Sequence, residues 1–145
     1  MSTVDKLLRV KGNTAWTIAP ESTVYEALEV MFEKEIGSLL VVDDDGKLIG
    51  IFTERDYARK LILQGRFSKD TAVKDLMTHD VLYVGPKNTV VDCMRIMTNK
   101  RVRHIPVLKE GQILGIVTIG DVVKQIMSEQ ESTIHQLENY ISGGY

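Results

Sequence analysis

Two short stretches of the sequence place a threonine three residues before an aspartate, in a pattern that could bind a nucleotide. Thr53 and Asp56 do so in GIFTERD, and Thr118 and Asp121 do so in GIVTIGD. Where a strand passes into a helix, exposed N–H groups and the threonine hydroxyl suit a phosphate, and the carboxylate can accept hydrogen bonds from a ribose diol. The same spacing is also a helix cap that needs no ligand. The residues alone leave both interpretations open.

The two stretches belong to a longer internal repeat. Pro20 aligns with Pro86 at an offset of 66, and after a one-residue gap in the turns DDDG and KEG, Gly50 aligns with Gly115 at an offset of 65. A turn is where a repeat tolerates such a gap. About 50 residues is marginal for an independent core, so the copies are expected to pack together. In the nucleotide-binding interpretation, the glycine before each motif is expected to leave room for the close approach of the ligand.

Each copy is predicted to form an amphipathic helix, two strands joined by a turn, and a closing helix. Apolar residues recur at helical spacing in the first helix, and apolar runs of strand length follow it. The fold class is therefore α/β (α+β), with two copies related by a pseudo-two-fold axis and an additional C-terminal helix. The predicted stripes are Val24, Ala27, Leu28, Met31 and Phe32, then Val90, Cys93, Met94 and Met97; the strands are SLLVVD, KLIGIFT, HIPVLK and QILGIVT; the closing helices cover about 56–64 and 121–129.

The chain is predicted to divide into three parts. Residues 1–64 hold the first copy with an N-terminal helix, residues 65–130 hold a linker and the second copy, and residues 131–145 hold the C-terminal helix and a Gly-Gly tail. Ile134, Leu137 and Ile141 form the apolar stripe of that last helix. Because such a stripe needs cover, the helix is a candidate contact at a dimer interface or with another protein.

The bulk composition excludes several classes of protein. The 145-residue chain has a formal net charge of −2, which gives no general attraction to nucleic acid or to an anionic membrane. It has no signal-peptide pattern and no apolar run of spanning length, so a cytoplasmic protein is expected. The single cysteine, Cys93, lies on a helix stripe and is interpreted as a core thiol. The spacing of histidines and cysteine is not typical of a metal site.

The ordered set of motifs, seen twice, resembles the CBS-domain family in the form of a stand-alone pair, or Bateman module. The resemblance covers about residues 2–129, and its carriers are TIAPESTVYEALEVMFEKEIGSLLVVDDDGKLIGIFTERD and YVGPKNTVVDCMRIMTNKRVRHIPVLKEGQILGIVTIGD. It implies a disc with two clefts that bind an adenosine ligand such as AMP, ADP, ATP, NAD or S-adenosylmethionine. It also implies a homodimer with a regulatory role, no catalysis of its own and an unidentified protein target.

The resemblance also assigns candidate ligand-binding residues. It implies that the motif aspartate binds ribose, that the motif threonine reaches phosphate, and that the base stacks near the first strand and the entry to the second. Basic residues at the strand entry and in the first motif would contact phosphate, because guanidinium geometry matches it. The candidates are Thr17, Ile18, Gly37, Ser38, Thr53, Arg55 and Asp56 in the first copy, and Tyr83, Val102, Arg103, His104, Ile105, Pro106, Thr118, Gly120 and Asp121 in the second.

The copies differ at one position where charge matters. Arg55 lies inside the first motif, where the second motif has Gly120, so unequal use of the two clefts is expected. Two alternatives stay open. Arg55, Arg103 and His104 could be solvated surface residues, and the chain could be a protein-interaction scaffold with empty clefts. An enzyme is disfavoured because no general base, nucleophile and metal pattern coincide in the sequence.

Overall fold

The order of helices and strands repeats along the chain. The computed structural model describes residues 2–142, and the predicted Gly-Gly tail at 143–145 lies outside them. The elements are α1 (Val4–Lys11), β1 (Thr17–Ile18), α2 (Val24–Lys34), β2 (Ser38–Val42), β3 (Leu48–Thr53), α3 (Glu54–Asp56), α4 (Val73–Leu76), α5 (Val90–Lys100), β4 (His104–Lys109), β5 (Gln112–Thr118) and α6 (Ile119–Ile141). α3 continues as a π-helical turn, Tyr57–Leu61, and a 3-10 turn, Ser68–Asp70, precedes α4. The predicted α/β fold of two tandem repeats with a C-terminal helix is confirmed.

Each repeat builds a small sheet from its own strands. β2 pairs antiparallel with β3, with Ser38 opposite Thr53, and β4 pairs antiparallel with β5, with His104 opposite Thr118. β1 adds a third strand parallel to β2, whereas its counterpart in the second repeat is a single bridge at Val84. The matching registers place the first residue of β2 and the first residue of β4 beside the motif threonine of the same repeat.

The first helix of each repeat buries a narrower stripe than the sequence predicts. The buried positions are Val24, Ala27 and Met31 in α2, and Val90, Cys93 and Met97 in α5. Phe32 and Met94, predicted for the stripes, are instead 89% and 41% exposed. A short helix on a small sheet presents one row of side chains spaced three and four residues apart, so positions beside that row face outward. Cys93 is a core thiol, and burial raises its pKa to about 11.

The helix that precedes each repeat packs on the core of the other repeat. α1 contributes Val4 to the core of the second repeat, whereas α4 contributes Val73 to the core of the first. The backbone N–H of Val4 donates to the carbonyl of Asn88 at 2.7 Å, and that of Val73 donates to the carbonyl of Ser22 at 2.8 Å. The predicted grouping of the N-terminal helix with residues 1–64 therefore follows chain order, while in space α1 lies on the second repeat.

The glycine that precedes each motif makes room for one of these exchanged segments. A Cβ on Gly50 would lie 2.5 Å from Sδ of Met77, and a Cβ on Gly115 would lie 3.0 Å from a methyl carbon of Leu8. The space beside each glycine is therefore filled by a core side chain that follows α4 or belongs to α1, and the prediction that it admits a ligand is wrong.

α6 is one continuous helix of 23 residues, although the sequence predicts two helices separated near residue 130. Ser132 and Thr133 are residue types that favour helix boundaries. In the structure the Thr133 hydroxyl instead donates to the Glu129 carbonyl at 3.0 Å, inside the helix. The helix after the first motif differs from its prediction too, because it turns π-helical at Tyr57 and that turn ends at Leu61.

Candidate functional site

Both Thr-x-x-Asp motifs form capping boxes at the start of a helix. Thr53 ends β3 and caps α3: its hydroxyl accepts from the Asp56 N–H at 3.2 Å, and the Asp56 carboxylate accepts from the Thr53 N–H at 3.0 Å. Thr118 ends β5 and caps α6 in the same way, at 3.2 Å and 2.8 Å. The capping interpretation of the motif is therefore realised in both repeats. It also fixes the orientation of both carboxylates at the point where a ligand would meet a helix N-terminus.

Asp56 is almost fully buried, at 8% exposure, and both of its carboxylate oxygens have partners. Oδ2 accepts from the Thr53 hydroxyl at 3.1 Å, in addition to the N–H bond. Oδ1 accepts from the Thr78 hydroxyl at 3.3 Å and lies 3.0 Å from Nζ of Lys60, one helical turn further on. The carboxylate charge is thus balanced locally, and a ribose diol could bind only by exchanging with the partners of Oδ1.

Asp121 takes its counter-ion from a different part of the chain. Nζ of Lys11, the last residue of α1, lies 2.5 Å from Oδ2 of Asp121 and donates to the carbonyl of Ile116 at 2.7 Å. The two side chains of this ion pair are 24% and 22% exposed. The second motif is therefore closed by a cation from the N-terminal helix, whereas the first is balanced by a lysine of its own helix.

A cleft of about 1150 Å³ lies beside the first motif, and residues of both repeats line it. The lining residues are Gly37, Ile51, Thr53, Glu54, Arg55, Asp56, Ala58, Arg59, Lys60, Thr78, Asp80, Val81, Leu82, Met97, Lys100, Arg101, Val102, Arg103, His104 and Ile119. Six of these are arginine or lysine and three are acidic. Because the whole chain carries a net charge of −2, the cleft is a local excess of positive charge. Such a surface attracts an anion, and its guanidinium groups suit a phosphate.

Arg55 links the two repeats at this cleft. Its Nη1 donates to the carbonyl of Arg101 at 2.5 Å, at the end of α5. Arg101 has a left-handed backbone conformation with φ of 55°, and it leads directly into the strand entry of the second repeat. Arg55 therefore has a defined partner in the other repeat, close to Arg103, and is held where the basic residues of the two repeats meet.

His104 contacts the first repeat at the entry to β4. A Cβ on Gly37 would lie 3.4 Å from Nε2 of His104 and 3.6 Å from Cδ of Glu54, so the absence of a side chain at Gly37 leaves room for both groups. Burial lowers the pKa of His104 below its usual range; the charge of Glu54 opposes this shift and that of Arg103 adds to it. The imidazole is therefore neutral at pH 7, and a charge-assisted bond to phosphate would require the ligand itself to favour protonation.

The structure brings seven of the sixteen predicted binding residues together and leaves nine outside the described lining of this cleft. The seven are Gly37, Thr53, Arg55, Asp56, Val102, Arg103 and His104. The nine are Thr17, Ile18, Ser38, Tyr83, Ile105, Pro106, Thr118, Gly120 and Asp121. Ile105 is fully buried in the core of the second repeat, and Tyr83 is 61% exposed. Thr118, Gly120 and Asp121 belong to the second motif.

Several lining residues were missed by the sequence analysis. Lys60 follows Asp56 by four residues, a spacing that puts the two side chains on one helix face and could have indicated the ion pair. Lys100 and Arg101 belong to the basic run NKRVR, of which only Val102 and Arg103 were named as candidates. Asp80 lies in the linker between the repeats, and no local pattern marks its approach to the cleft.

Within residues 2–142, no group of three or more His, Cys, Asp or Glu side chains is arranged to hold a metal ion. None of the helices in that described range is both long enough and apolar enough to cross a bilayer.

Comparison with known proteins gives matches over most of the chain. A family model described as CBS domain matches residues 13–63 and 73–128. The mitochondrial CBS domain-containing protein CBSX3 of Arabidopsis thaliana is 41% identical over 152 residues, covering 99% of this chain and 74% of that protein. A solved structure from Burkholderia ambifaria MC40-6, of a protein with CBS domains to which signal transduction is attributed, is 45% identical with a TM-score of 0.84, covering 89% of this chain and 96% of the other.

A more distant solved structure shares the fold. The CBS domain pair of protein MJ0100, crystallised in complex with 5′-methylthioadenosine and S-adenosyl-L-methionine, is 24% identical with a TM-score of 0.79. The match covers 89% of this chain and 98% of that one.

Proposed function

The chain belongs to the CBS-domain family, and from that premise we propose that it is a regulatory module that binds an adenosine-containing ligand of the AMP, ATP or NAD type without catalysing a reaction. The observation that carries the proposal is the cleft at the first motif. There a Thr-x-x-Asp helix start shares one opening with a local excess of arginine and lysine from both repeats.

In this proposal the ribose binds at Asp56 and the phosphate lies between the repeats. Ribose hydroxyls would replace Lys60 at Oδ1 of Asp56, which releases the lysine as a further cation for the phosphate. Thr53 stands at the helix start, where backbone N–H groups and the helix dipole favour an anion. Arg55 and Arg103 would supply guanidinium groups from opposite walls of the cleft.

The base is proposed to bind against apolar side chains of the same cleft. Val81, Leu82, Val102 and Ile119 line it and come from the linker, the strand entry and the start of α6. The sequence predicts a base position near Thr17 or its counterpart Tyr83 and the entry to the second strand, and that position stays a prediction.

The relatives support the class of ligand and the regulatory role. The pair of protein MJ0100 was crystallised with two adenosyl ligands, and it has the same fold as this chain. A phosphate-free ligand such as S-adenosylmethionine would use the ribose and base contacts but not the arginine and lysine side chains that line the cleft, here called the basic walls. The homodimer, the unidentified protein target and the cytoplasmic location stay predictions.

A second candidate function is a protein-interaction scaffold whose clefts hold no ligand. The observation in its favour is that both motif aspartates already have partners within the chain: Lys60 and Thr78 at Asp56, and Lys11 at Asp121. A capping box and an internal ion pair give each residue a structural role that needs no ligand.

A ligand panel distinguishes the two functions. The thermal stability of the purified chain is measured with AMP, ADP, ATP, NAD, NADH and S-adenosylmethionine, and adenosine is included as the phosphate-free control. A ligand present at about 100 times its Kd should stabilise the fold by about 2.7 kcal/mol. A selective rise in Tm that is larger for AMP than for adenosine supports the sensor and the role of the basic walls. A flat series across the panel supports the scaffold.

A further inference from the structure

α6 carries an apolar stripe that the other described residues, within 2–142, leave uncovered. Val123, Met127, Ile134, Leu137 and Ile141 are between 49% and 82% exposed. Their spacings are 4, 7, 3 and 4 residues, which are core positions of a heptad pattern with Gln130 at the remaining position. The stripe extends over about 27 Å of helix at 1.5 Å per residue. Its pattern is that of a helix with a helical partner.

The C-terminal part of α6 also lacks packing within the described residues that would stabilise it as a helix. From residue 130 to residue 141 every side chain is exposed except that of Asn139, which is half-buried. A helical segment of about a dozen residues is marginal in water without packing. The cover must therefore come from another chain or from another copy of this one.

The charges that flank the stripe fit an antiparallel pairing with a second copy of the chain. On one flank the heptad places Lys124, Glu131 and Glu138; on the other it places the uncharged Ile126, Thr133 and Tyr140. In a parallel pair each flank meets the opposite flank of the partner, which puts charges against uncharged residues. In an antiparallel pair each flank meets itself, so Lys124 lies near the partner's Glu138 twice, against one repulsion between the two copies of Glu131.

We propose that α6 pairs with the α6 of a second copy of this chain, antiparallel, around a two-fold axis near Ser132. In this register Val123 packs near the partner's Ile141, Met127 near the partner's Leu137, and Gln130 near the partner's Ile134. The pairing does not depend on the ligand proposed above. It would connect ligand and partner, because Ile119 at the start of the same helix lines the cleft.

The first test measures association of the full chain by analytical ultracentrifugation over a concentration series. The wild type is expected to form a dimer at micromolar concentration. Leu137→Asp should raise the dimer Kd by about 100-fold or more, because each dimer would bury two unpaired charges. Gln136→Asp is the matched control, because this neighbour is exposed and lies off the stripe, and it should leave the Kd within a few-fold of wild type. A monomeric wild type, or a dimer that survives Leu137→Asp, overturns the proposal.

A charge exchange tests the direction of the pairing. Lys124→Glu alone and Glu138→Lys alone should each weaken the dimer several-fold, and the double variant should recover wild-type affinity. Recovery is expected only if the two positions meet across the interface. If the double variant is as weak as the sum of the single changes, the antiparallel arrangement is wrong.

Discussion

Replacing Asp56 with asparagine separates ligand binding from helix capping. The substitution keeps the shape of the side chain and one carbonyl oxygen, which can still accept the N–H of Thr53 across the present 3.0 Å contact. It removes the charge, and it turns the oxygen that contacts Lys60 at 3.0 Å into an amide donor. Asparagine could therefore preserve the cap but could not accept a ribose diol at the second oxygen.

The expected magnitudes follow from the partners of each oxygen. The ion pair with Lys60 is partly exposed, with side chains at 37% and 10%, so its loss should cost about 0.5–1 kcal/mol of stability. Hydrogen bonds to a charged acceptor contribute about 1.5–3 kcal/mol each. Losing one such bond to ribose and weakening another should lower ligand affinity by about 10-fold to 100-fold.

The chain contains its own control for the capping effect. Thr89 and Asp92 form the same capping box at the start of α5, with the Thr89 N–H 2.9 Å from the carboxylate. This bond lowers the pKa of Asp92, so the charged form is the one that caps. Asp92 lies outside the described lining of the cleft. Asp92→Asn should therefore lower Tm modestly and leave ligand affinity unchanged.

The assay is isothermal titration of the ligand that gives the largest shift in the panel, with urea denaturation of the same three proteins. The reasoning is refuted if Asp56→Asn destabilises the fold but binds ligand as tightly as the wild type. It is also refuted if Asp92→Asn loses as much affinity as Asp56→Asn, since the effect would then come from the fold and not from a contact.

Four further outcomes are expected. Arg103→Gln should weaken AMP binding by about tenfold and leave adenosine binding unchanged, with the difference shrinking at high salt in titration calorimetry. The pKa of His104 is lowered in the fold, so the unfolded chain, with a histidine pKa of about 6.5, binds more protons. Stability should therefore fall as pH drops below that value, and urea titrations should show a smaller fall for His104→Asn. Lys11→Met removes a mostly buried ion pair with Asp121 and the bond to the Ile116 carbonyl, so the free energy of unfolding should fall by about 1–3 kcal/mol. Gly50→Ala places a Cβ 2.5 Å from Sδ of Met77, so the free energy of unfolding should fall by about 1–3 kcal/mol. The additional loss caused by Gly50→Ala should be smaller when it is measured in a Met77→Ala background, because the clashing sulfur is then gone.

The features that the sequence predicted well are those that depend on residues near one another in the chain. The four principal strands, the first helix of each repeat and the capping boxes at Thr53 and Thr118 match their predictions. Apolar runs of strand length, helical spacing and caps are local rules, and here the tertiary structure agrees with them. The repeat strengthened each prediction, because two divergent copies follow the same local pattern.

The features that the sequence did not predict are those that depend on which apolar face meets which. The sequence predicts an N-terminal helix, but it does not say on which repeat that helix or the four-residue α4 packs. Likewise, no spacing rule joins Arg55 to the carbonyl of Arg101, 46 residues later. The stripe predictions for Phe32 and Met94 were wrong for the same reason, since the width of the buried face is set by the sheet and not by the helix.

α1 packs on the second repeat and α4 on the first, and this difference explains why the two motif aspartates have different counter-ions. At the first motif the counter-ion Lys60 sits on the same helix as Asp56, so a ligand that displaces it needs only a side-chain rearrangement. The residue at the corresponding position of the second motif is Gln125, whose amide donates to Ser2 at 3.2 Å. Asp121 takes its counter-ion from Lys11 instead, at the end of a helix that is packed into the core of the second repeat. A ligand at the second motif must therefore compete with a contact supported by tertiary packing. The first cleft is for this reason the one we expect to fill at lower ligand concentration.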